Sequence, residues 1–423
     1  MTGLSYQAPW PLRDLVTALA EGTITAEEAR ARTRRRVAET EAELRAWVTP
    51  PAEIATAGAE VDGPLRGVPL GVKDIIDVVG FPTRCGSVLR AGAEPASTDA
   101  AVVTAWRRAG AIPAGKTVTT EFAFFAPGPT RNPVDTGHTP GGSSSGSAAA
   151  VASGQVPLAL GSQTAGSVTR PAAYCGVAAL VMSHGRLPND GVTGLSPSLD
   201  AHGFYTARVT DLALAWSALT GARDAGLRSP RPPRVLLWTA QALGVVDPVM
   251  AEAVKSAGAR LRAAGAVVDP FPEEHLAPEL ADAHLIVMAY EAARERAQEL
   301  RVACRLSEPL AALLRGGATV SQADYKGARA TVARGRSRLA GLLDTHDVVL
   351  GPAAPGVAPI GLTATGDPVL SRPWQALGLP AITVPGLRDA GGLPLGIQVV
   401  GRANGEEDLL ASACFVESVI RTA

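Results

Sequence analysis

The sequence has few cysteines, no excess of charge and no long hydrophobic run. Its four cysteines lie far apart, which excludes a disulfide framework and a CxxC metal or redox pair. The 39 basic and 40 acidic residues balance, so a nucleic-acid partner is not expected. The most apolar stretch, residues 148–161, is interrupted by Ser153, Gln155 and Pro157, and no basic-then-apolar leader opens the chain. We therefore expect a cytoplasmic protein without a membrane span.

Lysine is scarce as well, since 35 of the 39 basic residues are arginine. The four lysines are Lys73, Lys116, Lys255 and Lys326. Lysine can lose its proton under ordinary conditions, whereas arginine cannot in practice. Each lysine is therefore a candidate for proton transfer, against the alternative that a mutational bias toward arginine left a few lysines by chance.

Strand and helix patterns alternate along the chain, which predicts an α/β protein. The pattern over 11–47 predicts helices, with Thr25 and Glu28 at capping-box spacing. An apolar segment at 67–79 predicts a buried strand that turns after its lysine. The later elements expected are helices at 145–153, from Pro248, around 277–300, around 321–343 and from about Glu406, and strands at 235–239, 266–268, 348–350, 381–384 and 396–400.

Two short motifs match well-known patterns but lack the context that their mechanisms need. Residues 110–117 satisfy the phosphate-loop pattern GxxxxGK[ST], yet a helix is expected before them and a β-rich segment after them, which reverses the required order. Ser144 is central in a GxSxG motif, but no strand leads into it and the downstream histidines share no common context. A nucleotide site is therefore disfavoured, while a serine–histidine–acid triad and a purely structural loop stay open as alternatives.

Two loops rich in glycine and serine, at 141–147 and 161–171, each run into a stretch of small apolar residues. Such loops can present hydroxyls and successive backbone amides at one point, as an oxyanion requires. Serine needs a base, and because no histidine is an obvious partner, a neutral lysine is the natural candidate. Lys73 suits this role because its apolar neighbours would bury the amine, and burial lowers the pKa of lysine from about 10.4.

Longer segments resemble the amidase signature family over nearly the whole chain. They are GVPLGVKD around Lys73, GKTVTTEFA at 115–123, TRNPVDTGHTPGGSSSGSAAAVASG at 130–154, GSQTAGSVTRPAAYCGV at 161–177, GLSPSLDAHGFYTARVTD at 194–211, and the C-terminal TGDPVL, GLPAITVPG and GLPLGIQVVG. The resemblance implies a three-layer α/β/α fold with a central mixed β-sheet. It also implies one domain over 1–423, with N-terminal helices at 11–47, a catalytic core at 62–220 and a C-terminal α/β part at 234–423 that closes the substrate pocket.

The resemblance further implies a serine–serine–lysine triad. In this sequence its members are Ser167 as nucleophile, Ser143 as bridging serine and Lys73 as base. The family places the bridging serine 24 residues before the nucleophile, which selects Ser143 from three consecutive serines. The implied backbone features are a cis peptide before Ser143, made feasible by the substrate-binding glycines Gly141 and Gly142, and an oxyanion hole from the N–H groups of Thr164, Ala165, Gly166 and Ser167.

The implied activity is hydrolysis of a small linear amide through an acyl-enzyme, with no metal or organic cofactor. Arg170 stands three residues after Ser167, an offset that resembles malonamidase-type members, where the arginine binds the substrate's carboxylate. A guanidinium can hold a carboxylate through two parallel hydrogen bonds, so an acidic amide is the expected substrate. The alternative is a structural arginine that bonds loop carbonyls.

Two departures from the family pattern leave other interpretations open. Ala165 occupies a position that is usually glycine, and residues 180–185 differ from the usual stretch after this loop. The alternatives are the amidase subunit of a transfer-RNA-dependent amidotransferase and a non-catalytic member of the family. A homodimer is possible, and the helices at 277–330 are expected to supply the remaining pocket wall.

Overall fold

The computed structural model of the chain describes residues 8–51, 62–227 and 231–421. The helices are α1 (Leu12–Ala20), α2 (Ala26–Leu44), α3 (Ala101–Arg108), α4 (Ser145–Ala152), α5 (Thr169–Cys175), α6 (Val209–Thr220), α7 (Pro248–Ala263), α8 (Leu276–Glu295), α9 (Ala297–Leu300), α10 (Glu308–Thr319), α11 (Gln322–Leu343), α12 (Arg372–Leu377) and α13 (Glu406–Arg421). The strands are β1 (Trp47–Thr49), β2 (Pro69–Lys73), β3 (Ile112–Thr117), β4 (Leu158–Gln163), β5 (Ala178–Val181), β6 (Ala201–Thr206), β7 (Arg234–Leu237), β8 (Val267–Pro270), β9 (Val348–Pro352), β10 (Ala381–Arg388) and β11 (Pro394–Val400).

These strands form a single mixed sheet in the order β1-β3-β2-β4-β6-β5-β10-β11-β9-β7-β8. Strand β2 runs parallel to β3 and β4, and β7 runs parallel to β8 and β9. The other neighbouring strands are antiparallel. Helices α4, α5, α6 and α13 pack on the sheet, while α8 packs against α10, α11 and α12. The predicted α/β/α architecture with a central mixed sheet is confirmed.

The parallel strands near one end of the sheet bring two predicted segments together. Strand β2 ends at Lys73 and β4 ends at Gln163, with Val72 opposite Leu160 in the ladder. The carboxyl ends of parallel strands meet at one edge of a sheet, and the loops that follow them form crevices there. The lysine segment and the second glycine- and serine-rich loop therefore open on the same edge.

Several predicted elements differ from the structure. Strand β4 was not predicted, because LALGSQ contains no β-branched residue that would indicate a strand. The helix expected around 277–300 is two helices, α8 and α9, since the backbone leaves the helical region at Arg296. By contrast, Thr25 and Glu28 form the predicted capping box, with the Glu28 N–H donating to Thr25 Oγ1 at 3.2 Å.

The phosphate-loop pattern at 110–117 does not fold as a phosphate loop, in agreement with the order of elements expected from the sequence. Helix α3 ends before Gly110, and Lys116 lies inside strand β3. Its ammonium is completely buried and forms an ion pair with Asp74 at 3.0 Å. Lys116 thus contributes to the protein interior and does not face a loop that could hold phosphate.

Both sides of the segment 221–233 contribute strands to the one sheet. Residues 228–230 of this segment lie outside the described residues. In the part of the chain that the structure describes, no helix combines the length and apolarity needed to cross a bilayer.

Candidate active site

Lys73 lies at the end of β2 with its side chain completely buried. A hydrogen bond of 2.7 Å joins its Nζ to Ser143 Oγ. The same nitrogen lies 2.9 Å from Ser162 Oγ and 3.3 Å from the Ser162 carbonyl oxygen. The structure therefore brings together the lysine and the bridging serine that the family resemblance selects, and it adds Ser162 as a second hydroxyl neighbour.

Burial lowers the pKa of Lys73 to about 7, and the carboxylate of Asp200 opposes that shift. Removing an ammonium group from water disfavours its charged form, while a nearby negative charge favours it. Desolvation is the larger effect here, so a substantial fraction of Lys73 is neutral near pH 7. A neutral amine at this pH can accept a proton, which arginine at the same position could not do.

Ser143 follows a cis peptide bond with Gly142, as the resemblance implies. The Ser143 carbonyl accepts a hydrogen bond from the Thr120 N–H at 3.2 Å. A Cβ added at Gly142 would meet Thr365 at 2.8 Å, so only glycine fits beside this neighbour. The first loop is thereby packed between the segment after β3 and the segment before α12.

A backbone hydrogen bond connects the two glycine- and serine-rich loops. The Ser144 N–H donates to the Ser167 carbonyl at 3.2 Å, and the Tyr205 hydroxyl donates to the same oxygen at 3.2 Å. Ser143 and Ser167 both line one cleft and are almost completely buried. Ser144, the centre of the GxSxG motif, is turned into the interior, where its hydroxyl donates to the Ser162 carbonyl at 3.3 Å.

The loop at 164–167 is held by side chains on both sides. The Gln163 amide oxygen accepts from the N–H groups of Val168 and Thr169 at 2.9 and 3.0 Å, which closes the loop onto the start of α5. His284 Nε2 donates to the Thr164 carbonyl at 2.8 Å, because that oxygen can only accept. Burial lowers the pKa of His284 to about 4, so the ring is neutral and keeps this hydrogen bond at physiological pH.

Arg170 is 3% exposed and reaches the first loop from α5. Its Nη2 donates to the Gly142 carbonyl at 2.7 Å and to Thr365 Oγ1 at 3.2 Å. Nε and Nη1 have no hydrogen-bond partner among the described residues. Nη2 thus bonds the protein, as expected for a structural arginine, while Nε and Nη1 can still donate to a ligand.

The cleft is narrow, with a cavity volume of about 20 Å³. Its lining residues are Ala123, Phe124, Phe125, Ser143, Thr164, Ala165, Ser167, Arg170, Leu195, Met288, Thr365, Pro368 and Arg372. Met288 of α8 is the wall residue that comes from the region 277–330. Ala123, Leu195 and residues 365–370 lie in segments that resemble the family, but the sequence assigns them no ligand, and the fold brings them to the cleft.

The two departures from the family pattern lie in different places. Ala165 lines the cleft beside Ser167. Within 180–185, Leu180 and Val181 belong to the buried strand β5, and His184 lies 2.8 Å from the Pro197 carbonyl through Nε2. None of these three residues is among the cleft-lining residues. The residues at 180–185 therefore contact neighbouring segments of the same chain and do not form part of the cleft surface.

Comparisons with known proteins identify the family that the chain resembles. Residues 27–410 match the family described as Amidase. The chain is 31% identical over 428 residues to a subunit of the glutamyl-tRNA(Gln) amidotransferase of Lysinibacillus sphaericus, covering 87% of each protein. It is 34% identical over 401 residues to the 2-amino-5-chloromuconic acid deaminase of Comamonas testosteroni, covering 85% of this chain and 82% of that protein. A solved structure described as an amidase matches 97% of this chain and 100% of its own, with 28% identity and a TM-score of 0.86.

Proposed function

The chain belongs to the amidase signature family, and from this premise we propose that it hydrolyses the C–N bond of a small amide bearing a carboxylate. Ser167 is the nucleophile, Ser143 relays protons and Lys73 is the base. The observation that carries the proposal is the 2.7 Å hydrogen bond between a buried lysine with a pKa of about 7 and Ser143, beside the same cleft as Ser167.

Acylation begins with neutral Lys73. Ser143 passes its proton to the amine and takes the Ser167 proton, while Ser167 Oγ forms a bond to the amide carbonyl carbon. The resulting tetrahedral species collapses when its C–N bond breaks and the relay returns the proton to the departing amine. The products of this half-reaction are ammonia or an amine and an acyl ester on Ser167.

The loop at 164–167 stabilises the negative oxygen of the tetrahedral species. Among the described residues, the backbone N–H groups of Ala165, Gly166 and Ser167 donate to no other backbone carbonyl or side chain. Backbone donors held in place before the reaction stabilise developing charge without reorganising, and each is worth roughly 10²–10³ in rate. The hydrogen bonds of Gln163 and His284 to this loop support such a fixed arrangement.

Deacylation repeats the relay with water. Lys73, neutral again after acylation, takes a proton from water through Ser143, and the water oxygen bonds to the acyl carbon of the ester. Collapse breaks the bond to Ser167 Oγ, which recovers its proton by the same route. The acid product leaves, and the chain returns to its starting protonation state.

Arg170 supports an acidic substrate. Its Nε and Nη1 are buried donors without a protein acceptor in the described part of the chain, and such groups gain most from a charged ligand. A carboxylate bound there would hold the scissile carbonyl near Ser167, which lies three residues earlier. The name of the Comamonas testosteroni relative, a deaminase of an amino-substituted acid, is consistent with this substrate class.

The proposal is tested by ammonia release from butyramide and succinamate and by labelling with a fluorophosphonate. Wild-type protein is expected to cleave an amide and to form a covalent adduct on Ser167, while Ser167→Ala does neither. Ser145→Ala is the matched control, because the Ser145 hydroxyl lies 3.5 Å from the Val118 carbonyl and is not part of the cleft lining. Equal turnover by wild type and Ser167→Ala would refute the mechanism.

A second candidate is the amidase subunit of a transfer-RNA-dependent amidotransferase, favoured by the similarity to the Lysinibacillus sphaericus protein. An amidase of that kind acts with partner chains. The two functions differ in one measurement: purified chain alone cleaves amides if it is a stand-alone enzyme, whereas the amidotransferase component releases ammonia from glutamine only when its partners are added.

A further inference from the structure

A second arginine reaches the cleft from the C-terminal part of the chain. Arg372 is the first residue of α12 and lines the cleft with Thr365 and Pro368, which precede that helix. Thr365 Oγ1 accepts a hydrogen bond from Arg170 Nη2 at 3.2 Å. The segment that carries Arg372 is therefore in direct contact with the guanidinium of Arg170.

The protein leaves Arg372 incompletely paired. Its Nε is buried and has no hydrogen-bond partner among the described residues. Its ion-pair partner is Asp367, whose Oδ1 lies 3.8 Å from Nη2, longer than a hydrogen bond. The side chain is 15% exposed, so water can supply only a small part of the missing solvation. A guanidinium in this state favours an anionic ligand.

The charge of the cleft also favours an anionic ligand. Two arginines line it, and the described lining residues include no aspartate or glutamate. The pKa of Arg170 is lowered to about 10, mainly by burial; the positive charge of Arg372 adds to that shift, and the Asp367 carboxylate opposes it more strongly. The two guanidinium groups are therefore close enough to repel each other. Each guanidinium keeps at least one buried nitrogen without a partner among the described residues, so each can bind one negative group.

We propose that Arg372 is a second carboxylate-binding residue of the cleft and that the preferred substrate is an amide carrying two carboxylates, one held by each arginine. This inference rests on the proposed function and names the substrate class of that site. The cleft is also lined by the apolar residues Phe124, Leu195 and Met288, which are available to contact the hydrocarbon part of such a molecule.

The test uses amides with no, one and two carboxylates. The probes are butyramide, succinamate and the terminal monoamide of propane-1,2,3-tricarboxylic acid. Wild type is expected to have its highest kcat/KM on the last of these. Arg372→Gln should lower that value by roughly 10- to 100-fold, the effect of losing a hydrogen bond to a charged group, and change the other two by less than about threefold. Equal loss on all three probes, or no loss, would overturn the proposal.

Asp367→Asn separates binding from a structural ion pair. Asp367 Oδ1 accepts from the Val369 N–H at 2.9 Å, a bond that the asparagine oxygen can keep. If Arg372 binds substrate, removal of the neighbouring negative charge lowers KM for the two-carboxylate amide. If the ion pair only supports the loop, Asp367→Asn and Arg372→Gln impair all probes alike, and the proposal is wrong. Arg338→Gln, on an arginine whose side chain is 53% exposed outside the cleft, controls for a general loss of charge.

The experiment also separates this inference from the proposed function. If wild type cleaves succinamate but has no higher kcat/KM on the two-carboxylate amide, the proposed function stands and the second carboxylate site is refuted. If no amide is cleaved, the function fails, and calorimetry with propane-1,2,3-tricarboxylate then tests Arg372 directly. At least tenfold weaker binding to Arg372→Gln than to wild type supports the second site, whereas equal affinity overturns it.

Discussion

The Thr164 hydroxyl donates a hydrogen bond of 2.5 Å to Asp200 Oδ1, and the charge of Asp200 also acts on Lys73. The other carboxylate oxygen of Asp200 accepts from the N–H groups of Leu195 and Ser196 at 2.8 and 2.9 Å. One side chain thus connects three parts of the site: the loop at 164–167, the segment that carries Leu195, and the electrostatic environment of the buried lysine.

Asp200→Asn is expected to move the acid limb of the activity profile to lower pH. The Asp200 carboxylate raises the pKa of Lys73 against the effect of burial, so loss of its charge lowers that pKa further. The base then stays neutral to lower pH. The measurement is kcat/KM for succinamate between pH 5 and 9, with Asp211→Asn, a buried aspartate that receives the Arg13 N–H, as control. An unmoved or upward-shifted limb would contradict the assigned coupling.

In the wild type, kcat/KM should rise with pH through about 7, because the base must lose its proton and burial lowers the pKa of Lys73 to about 7. Lys73→Ala should remove this limb and lower kcat by roughly 10²–10⁴-fold, the usual contribution of general acid–base catalysis. Circular dichroism of the variant checks that the fold persists. A wild-type profile that is flat from pH 5 to 9 would exclude a titrating lysine as the base.

The site residues that the sequence predicts lie in local motifs, whereas the residues that it misses reach the site only through tertiary packing. Lys73, Ser143 and Arg170 lie in contiguous motifs, and the structure places them around or directly beside the cleft. Arg372 lies two residues beyond the segment TGDPVL, for which no site residue was predicted, and His284 lies outside all the family-like segments. Which face of α8 meets the 164–167 loop depends on packing between distant helices, and no local pattern of apolar residues specifies that contact.

Arg170→Leu tests whether the buried guanidinium binds substrate or only the first loop. We expect KM for succinamate to rise roughly 10- to 100-fold, since a charge-assisted hydrogen bond is lost, while KM for butyramide stays close to its wild-type value. The 2.7 Å hydrogen bond from Nη2 to the Gly142 carbonyl gives the competing expectation. Equal impairment of acidic and neutral amides would assign Arg170 to support of the loop.

His284 should act as a positioning residue for the 164–167 loop. His284→Phe removes the donor to the Thr164 carbonyl and should lower kcat about tenfold, in keeping with about 1.4 kcal/mol for one lost hydrogen bond. KM should change little, because the ring is not among the residues that line the cleft. His284→Gln retains an N–H donor and should recover part of kcat. Failure of glutamine to do better than phenylalanine would argue for a packing role.

The ion pair between Lys116 and Asp74 predicts a large effect on stability. Both side chains are completely buried, with Lys116 Nζ 3.0 Å from Asp74 Oδ1 and 2.9 Å from Thr83 Oγ1. Lys116→Met leaves the Asp74 carboxylate buried and unpaired, which typically costs about 3–5 kcal/mol in the free energy of unfolding. Lys255→Met, at an exposed position in α7, should change stability by less than about 0.5 kcal/mol.

Urea denaturation of these variants measures the cost, and the double variant Asp74→Leu/Lys116→Met identifies its source. If the penalty comes from an uncompensated charge, the second substitution removes that charge and restores much of the stability, because apolar residues often replace buried ion pairs without loss. If instead the double variant is as unstable as the sum of both single variants, the packing of these side chains and not their charge determines the effect. Asp74 directly follows Lys73, the proposed base, so variants that destabilise this ion pair should also disturb the position of Lys73 and lower kcat.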